Sequence, residues 1–284
     1  MSIKRILVPL SGTSASSTLL QTAVEVAKLF EGHLEVLHLQ PDLQRRLNEV
    51  AHGEGANLDE SLIREVIEAA ELDAERTRGA FEEIMRRHPI SLGDDPSVHP
   101  AASWREASGG ADLFAAEAGI VDLIVMARPN PDDRTASAFL DTALFTSGIP
   151  VLIAPPAAPA RLPGRVLIGW NRTVQSERAI ARAIPFLKKA QQIVLFAVET
   201  GAKRGPAAPQ AARYLAWHGI RVAVKQVQTS ERHVGGMLLQ EASSCDADLL
   251  VMGAYSHSRL RQMILGGVTR YVLSNANLPV LMVH

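Results

Sequence analysis

Asp248-Leu-Leu-Val-Met-Gly-Ala-Tyr-Ser-His-Ser-Arg-Leu-Arg-Gln-Met-Ile-Leu-Gly-Gly-Val-Thr-Arg270 is the stretch from which the fold is read. Leu249, Leu250, Val251 and Met252 form an apolar run of the length of a buried strand. Gly253 ends it. A polar loop with Ser256, His257 and Ser258 follows, and Gly266 and Gly267 stand ahead of the periodic run 268–273. Strand, glycine turn, hydroxyl-bearing loop and glycines at a helix start are an order that suits a phosphate. Glycine lets the backbone come close, and the free N–H groups of a helix start attract anions. Glycine after a strand is also a common plain turn, so the rest of the chain has to weigh in.

Upstream, the same pattern occurs once already. Val121-Asp-Leu-Ile-Val-Met126 matches Ala247-Asp-Leu-Leu-Val-Met252, and Ile149-Pro-Val-Leu-Ile153 matches Leu278-Pro-Val-Leu-Met282. Lys4-Arg-Ile-Leu-Val-Pro9 matches Gly164-Arg-Val-Leu-Ile-Gly169. Strands are expected at 4–9, 34–38, 98–104, 121–126 and 149–154 in the first copy. In the second they fall at 164–169, 193–198, 222–227, 249–252 and 278–282. Helical spacing predicts helices around 19–29, 58–87, 107–118 and 136–146, then 206–217, 234–243 and 268–273. The helix over 58–87 is the main asymmetry, and its apolar face, with Leu62 and Val66, needs a partner in its own domain or a second chain. Between the copies, 155–163 holds four prolines in nine residues, which no helix or central strand accepts. The chain therefore divides into a first domain at 1–156, a proline-rich linker at 157–163 and a second domain at 164–284. Strands alternating with helices imply right-handed crossovers, so each half is a doubly wound α/β domain with a mostly parallel five-stranded sheet. In such sheets ligands sit beyond the carboxyl ends of the strands, where strand order reverses.

Composition narrows the function classes. The chain has 284 residues, is 47% hydrophobic and 21% charged, and carries a formal net charge of −1. No global field draws nucleic acid or an anionic membrane, and no apolar run reaches the length of a bilayer span. A single cysteine, Cys245, forms no internal disulfide and reads as an inert thiol beside Asp246. The opening residues show no signal-peptide pattern, and a cytoplasmic location is expected. His33, His38, His257 and His284 lack metal-ligand spacing, so no metal held by protein ligands is expected. No Gly-x-Ser-x-Gly elbow is present. Core packing is expected for Trp104 and Trp170.

With the repeat and the glycine loop in hand, the chain resembles the universal stress protein family in its tandem two-domain form. Family members that bind nucleotide carry Gly, two residues, Gly, nine residues, Gly, then Ser or Thr after the fourth strand. Here the second half has Gly253, two residues, Ser256, nine residues, Gly266 and Gly267. The resemblance implies a fold of the adenine nucleotide alpha hydrolase type and a stress-response module. It also implies pairing of the two halves through their last strands into a pseudo-dimer, with a homodimer as a further form. A nucleotide, ATP or AMP, is implied in the second half, with Mg2+ only alongside ATP. Phosphates would meet the amides of Gly253, Gly266, Gly267 and Val268, with the hydroxyls of Ser256 and Thr269 alongside. Ribose would reach Asn171, and the base would lie near Trp170, Val198 and Met252.

The sequence also departs from the family. Nucleotide-binding relatives have an aspartate just after the first strand, where Ser11 and Asn171 stand here. The first half replaces the glycine loop with Ala127-Arg-Pro-Asn-Pro-Asp-Asp-Arg-Thr-Ala-Ser137, and Asp132 and Asp133 repel a polyphosphate. The first half is therefore expected to bind no nucleotide through this motif. Two other classes stay open: a scaffold with no ligand, supported by the missing aspartates, and a slow ATP hydrolase, for which His257 is the one loop base.

Overall fold

Apolar runs at period two and at helical period build one continuous α/β structure. The computed structural model describes residues 2–10, 17–40, 60–129, 134–159, 162–199, 205–228, 233–255 and 267–284. The first half runs β1 (Arg5–Leu10), α1 (Ser17–Phe30), β2 (His33–Gln40), α2 (Glu60–Arg87), β3 (Ser91–Leu92), β4 (Ala101–Ser108), α3 (Ala111–Ala118), β5 (Leu123–Met126), α4 (Arg134–Phe145) and β6 (Val151–Ile153). The second runs β7 (Arg165–Trp170), α5 (Val174–Leu187), β8 (Gln192–Glu199), α6 (Ala208–Trp217), β9 (Ala223–Gln228), α7 (Val234–Ser244), β10 (Leu249–Gly253), α8 (Gly267–Asn275) and β11 (Val280–Val283).

Among the described residues, all the strands join one 11-stranded sheet in the order β3-β4-β2-β1-β5-β6-β11-β10-β7-β8-β9. Every neighbouring pair is parallel except the central one. There β6 and β11 run antiparallel, with Val151 opposite Met282, Leu152 opposite Leu281 and Ile153 opposite Val280. All six side chains are buried. Each half alone would end in an open apolar edge, and pairing the two edges satisfies both rows of backbone groups. The edge-to-edge pairing implied by the resemblance is thus present, but it merges the two expected five-stranded sheets into one.

Alternation along each strand sends side chains to two cores. Leu34, Val36, Val166, Trp170, Leu195 and Val251 face one, under α1, the C-terminal part of α2, α5 and α6. Leu37, Leu167, Phe196, Val198, Leu250, Met252 and Met282 face the other, under α3, α4, α7 and α8. Phe30 of α1 and Phe186 of α5 meet edge to face, their centroids 4.8 Å apart, so the halves also touch through helices.

Several sequence expectations shift. The third strand begins at Ala101 rather than Val98, because Pro100 has no N–H for a ladder and Val98 instead donates to Asp95 in a turn. That strand then continues to Ser108, and Gly109 and Gly110 delay the next helix to Ala111. Strand β3, outside β4, is an addition to the expected set. So is α5, although it carries a readable start: Thr173 accepts from the Ser176 N–H, and the Ser176 side chain accepts in turn from the Thr173 N–H. Helix α2 has 28 residues against 10 in α6; Phe81, Ile84 and Met85 bury its C-terminal part, while Ile67 and Leu72 stay exposed. The side chains of Leu62 and Val66 lie outside the described residues. Among the described residues, no helix is long and apolar enough to cross a membrane.

Candidate functional site

In the second half, strand order reverses between β10 and β7. Their parallel register puts Trp170, Glu199 and Gly253 at one end of the sheet, and the crevice there is where doubly wound sheets hold ligands. The start of α8 completes it. The Tyr255 N–H donates to Thr269 Oγ1 at 3.3 Å, tying the exit of β10 to the first turn of α8.

The expected site residues divide into three groups. Val198 and Met252 are buried on the same face of the sheet, toward α7 and α8. Gly267 is exposed, with open space around its Cα, and Val268 is half-buried beside it. Thr269 is buried, and its hydroxyl oxygen is the one that accepts from Tyr255. Asn171 is exposed at the end of β7, and its Oδ1 accepts from the Thr173 hydroxyl at 2.7 Å; one lone pair remains for a ligand hydroxyl. Val198, Met252 and Val268 belong to one cluster on this face, and Asn171 follows β7 at the same end of the sheet as Gly253.

Trp170 does not join them. Its ring is 3% exposed and packs on the opposite face of the sheet, under α5 and α6, while its Nε1 donates to the Pro206 carbonyl at 3.2 Å. Strand alternation is the reason: Trp170 follows Ile168 and Val166 onto that face. The base contact expected of the Trp170 ring is therefore corrected to core packing. Gly253 has a packing role of its own, since a Cβ there would lie 2.6 Å from Gln175 C and Ser176 N in the first turn of α5. Ser256, His257 and Gly266, and Ser11, Asp132 and Asp133 in the first half, lie outside the described residues.

Two residues that no sequence motif singles out sit at the two ends of α8, Tyr255 at its start and Arg128 at its finish. Tyr255 adopts φ 57, a left-handed conformation rare for a bulky side chain. Its buried hydroxyl has no hydrogen-bond partner among the described residues, and burial, with Asp141 nearby, holds that hydroxyl far above its usual pKa. Arg128 stands just beyond β5, where the second copy has Ala254, and reaches out of its own half. Its Nη1 donates to Ser274 O at 3.1 Å and its Nη2 to Ala276 O. A lone arginine at a strand exit is the signal the sequence offers for it.

A groove of about 1300 Å3 opens at the amino-terminal ends of the first-half strands, which the antiparallel seam places at the same end of the sheet as Trp170 and Gly253. Arg5 and Arg105 each contact the Glu35 carboxylate, at 2.8 and 2.9 Å, and Arg105 also pairs with Glu117. The Arg105 guanidinium holds Glu117 below the usual carboxylate range. These four groups neutralise one another. His33 Nε2 lies 2.8 Å from Ser103 Oγ, and burial lowers the His33 pKa.

Comparison with known proteins follows the same division of the chain. The model of the Universal stress protein family matches residues 2–136 and 164–284. A solved universal stress protein from Archaeoglobus fulgidus DSM 4304 is 17% identical, with 98% of this chain and 96% of that one covered at a TM-score of 0.69. A protein of unknown function from Pseudomonas aeruginosa PAO1 is 16% identical, with 99% and 92% covered at 0.55. The cytoplasmic domain of a prokaryotic cation chloride cotransporter is 11% identical, with 99% and 95% covered at 0.52. At these identities the structures show the fold alone. No curated protein sequence matches the chain.

Proposed function

Because the chain belongs to the universal stress protein family, matched over 2–136 and 164–284, we propose that it is a stress-response module whose second half binds an adenine nucleotide, ATP or AMP. One observation carries this reading. Strand order reverses between β7 and β10, with Asn171 just after β7 and Gly253 closing β10, and Val198, Met252 and Val268 pack in one cluster on one face of that sheet. Phosphates meet the amides of Gly267 and Val268, where a helix start offers unpaired N–H groups. Gly253 and Thr269 border them, and Ser256 and Gly266 belong to the same set by spacing. Ribose reaches the free lone pair of Asn171, and the base lies against Val198 and Met252. Mg2+ enters only with ATP. The domains of this reading are 1–156 and 164–284, joined by 157–163, and its setting is the cytoplasm.

Asn171 offers a neutral acceptor where relatives place a carboxylate. A charge-assisted hydrogen bond is roughly twice as strong as a neutral one, so binding is weaker than with aspartate. Calorimetry with ATP and AMP, and nucleotide analysis of protein purified without added ligand, test the reading. Asn171→Asp is expected to tighten binding and Gly266→Asp to abolish it while leaving the fold intact. Wild-type protein that binds neither nucleotide at millimolar concentration would hand the case to the ligand-free scaffold.

A further inference from the structure

The first half lost the glycine loop, yet the residue at its strand exit is in use. We infer that Arg128 is a positioning residue for the second half's site: it holds α8 by its C-terminal end and thereby sets where the N-terminal amides of that helix point. This rests on the nucleotide reading above.

The last carbonyls of a helix have no partner within it, and a cation there is favoured by the helix dipole. Arg128 supplies that cation from the other half, through Nη1 to Ser274 and Nη2 to Ala276. Its Nε is buried with no partner among the described residues, and burial lowers the guanidinium pKa. A charged group is therefore held partly desolvated to reach two carbonyls, an arrangement a merely solvated arginine would not adopt. The other end of the helix is also tied to the first half. Tyr255, bonded to Thr269, packs its ring 4.8 Å from Phe145 at the end of α4. His284 lies 4.7 Å from the same ring and donates from Nδ1 to Ala254 O at 3.0 Å. Helix α8 has nine residues, so it is a rigid rod of about 13 Å. Releasing one end tilts the other. Tyr271, close over Gly235 of α7, provides the pivot.

The test uses the full chain, with nucleotide titration by calorimetry and hydrogen exchange measured on 267–276. Arg128→Gln keeps the size and loses the charge; Arg128→Lys keeps the charge. Arg128→Gln is expected to weaken AMP binding on the order of tenfold, as for loss of a charge-assisted hydrogen bond, and to speed exchange in α8 while α1 and β1 keep their wild-type rates. Arg128→Lys recovers part of both. The inference is overturned if Arg128→Gln leaves exchange in α8 unchanged, speeds it throughout the chain, or speeds it in α8 at unchanged affinity. If wild type binds no nucleotide, the proposed function falls. Exchange then decides the placement of α8 alone: a change confined to α8 keeps it, and no change overturns it.

Discussion

The two halves repeat one strand order and differ at matched positions. Beyond the fourth strand of its half, the second copy has Gly253 and Ala254 where the first has Ala127 and Arg128. At Gly253 the backbone of α5 comes so close that a Cβ would lie 2.6 Å from it. At Ala127 a methyl is accommodated against the core. At the start of the strands, register pairs Arg5 with His33 and Arg165 with Gln192. Glu35 and Ser103 face each other across the next ladder, β2 to β4, where the second half has Val194 and Ala223 across β8 and β9. A repeated fold thus fixes where the strands run, while the side chains at its two ends are free to diverge. A motif glycine can be required by a neighbouring helix as much as by a ligand.

The largest expected effect comes from breaking the seam that makes the halves one body. Leu281 is fully buried opposite Leu152. Leu281→Asp puts a carboxylate in that seam and is expected to cost about 4 kcal/mol or more. Denaturant unfolding followed by tryptophan fluorescence reports on it, with Trp104 in one half and Trp170 in the other. Both halves should lose stability together. If only the second half responds, the halves are thermodynamically separate in spite of the shared sheet.

Exchanging the strand-exit residues sharpens the comparison further. Gly253→Ala drives a methyl into the Gln175–Ser176 backbone, which cannot rotate away, and should destabilise by about 2 kcal/mol. Ala127→Gly in the first half should cost no more than about 1 kcal/mol, the usual penalty of added backbone freedom. Chemical denaturation of both variants measures the difference. Equal effects would mean that α5 can move away from β10, and that Gly253 is not fixed by packing.

Much of this architecture is legible in the sequence. Apolar runs of strand length recur twice in the same order, and that recurrence is enough to place ten of the strands and to point to the family. Periodicity also locates α2 and the last strands that join the halves. The rest depends on information that periodicity does not carry. Strand β3 has two residues, too short for a pattern. Helix α5 lies between two matched strands, and only Thr173 and Ser176 mark its start. Sequence adjacency to Asn171 suggests a place in the site for the Trp170 ring, but alternation turns consecutive residues to opposite faces, and Trp170 follows Ile168 into the core. Arg128 acts across 148 residues of chain separation on Ala276, and no local pattern encodes that.

The smallest effect concerns the amino-terminal ends of the first-half strands. Burial holds the His33 pKa below the ordinary 6.5, with Glu35 pulling it up more weakly. As pH falls below 6.5, an unfolded His33 takes up a proton that the folded one resists. The unfolded state then binds more protons, so stability falls as pH drops from 6.5 toward the lower folded value, and His33 contributes no slope above that window. His33→Gln gives the first half the residue that the second half already has at Gln192, still able to hydrogen-bond Ser103. The variant should therefore lose less stability than wild type between neutral and mildly acidic pH, and the two should differ by a constant amount above it. Urea unfolding across this range, read as the difference between the two proteins, isolates His33 from the other eight histidines. Parallel curves would show that His33 protonates equally well in both states, and that its pairing with Ser103 holds no proton-linked energy.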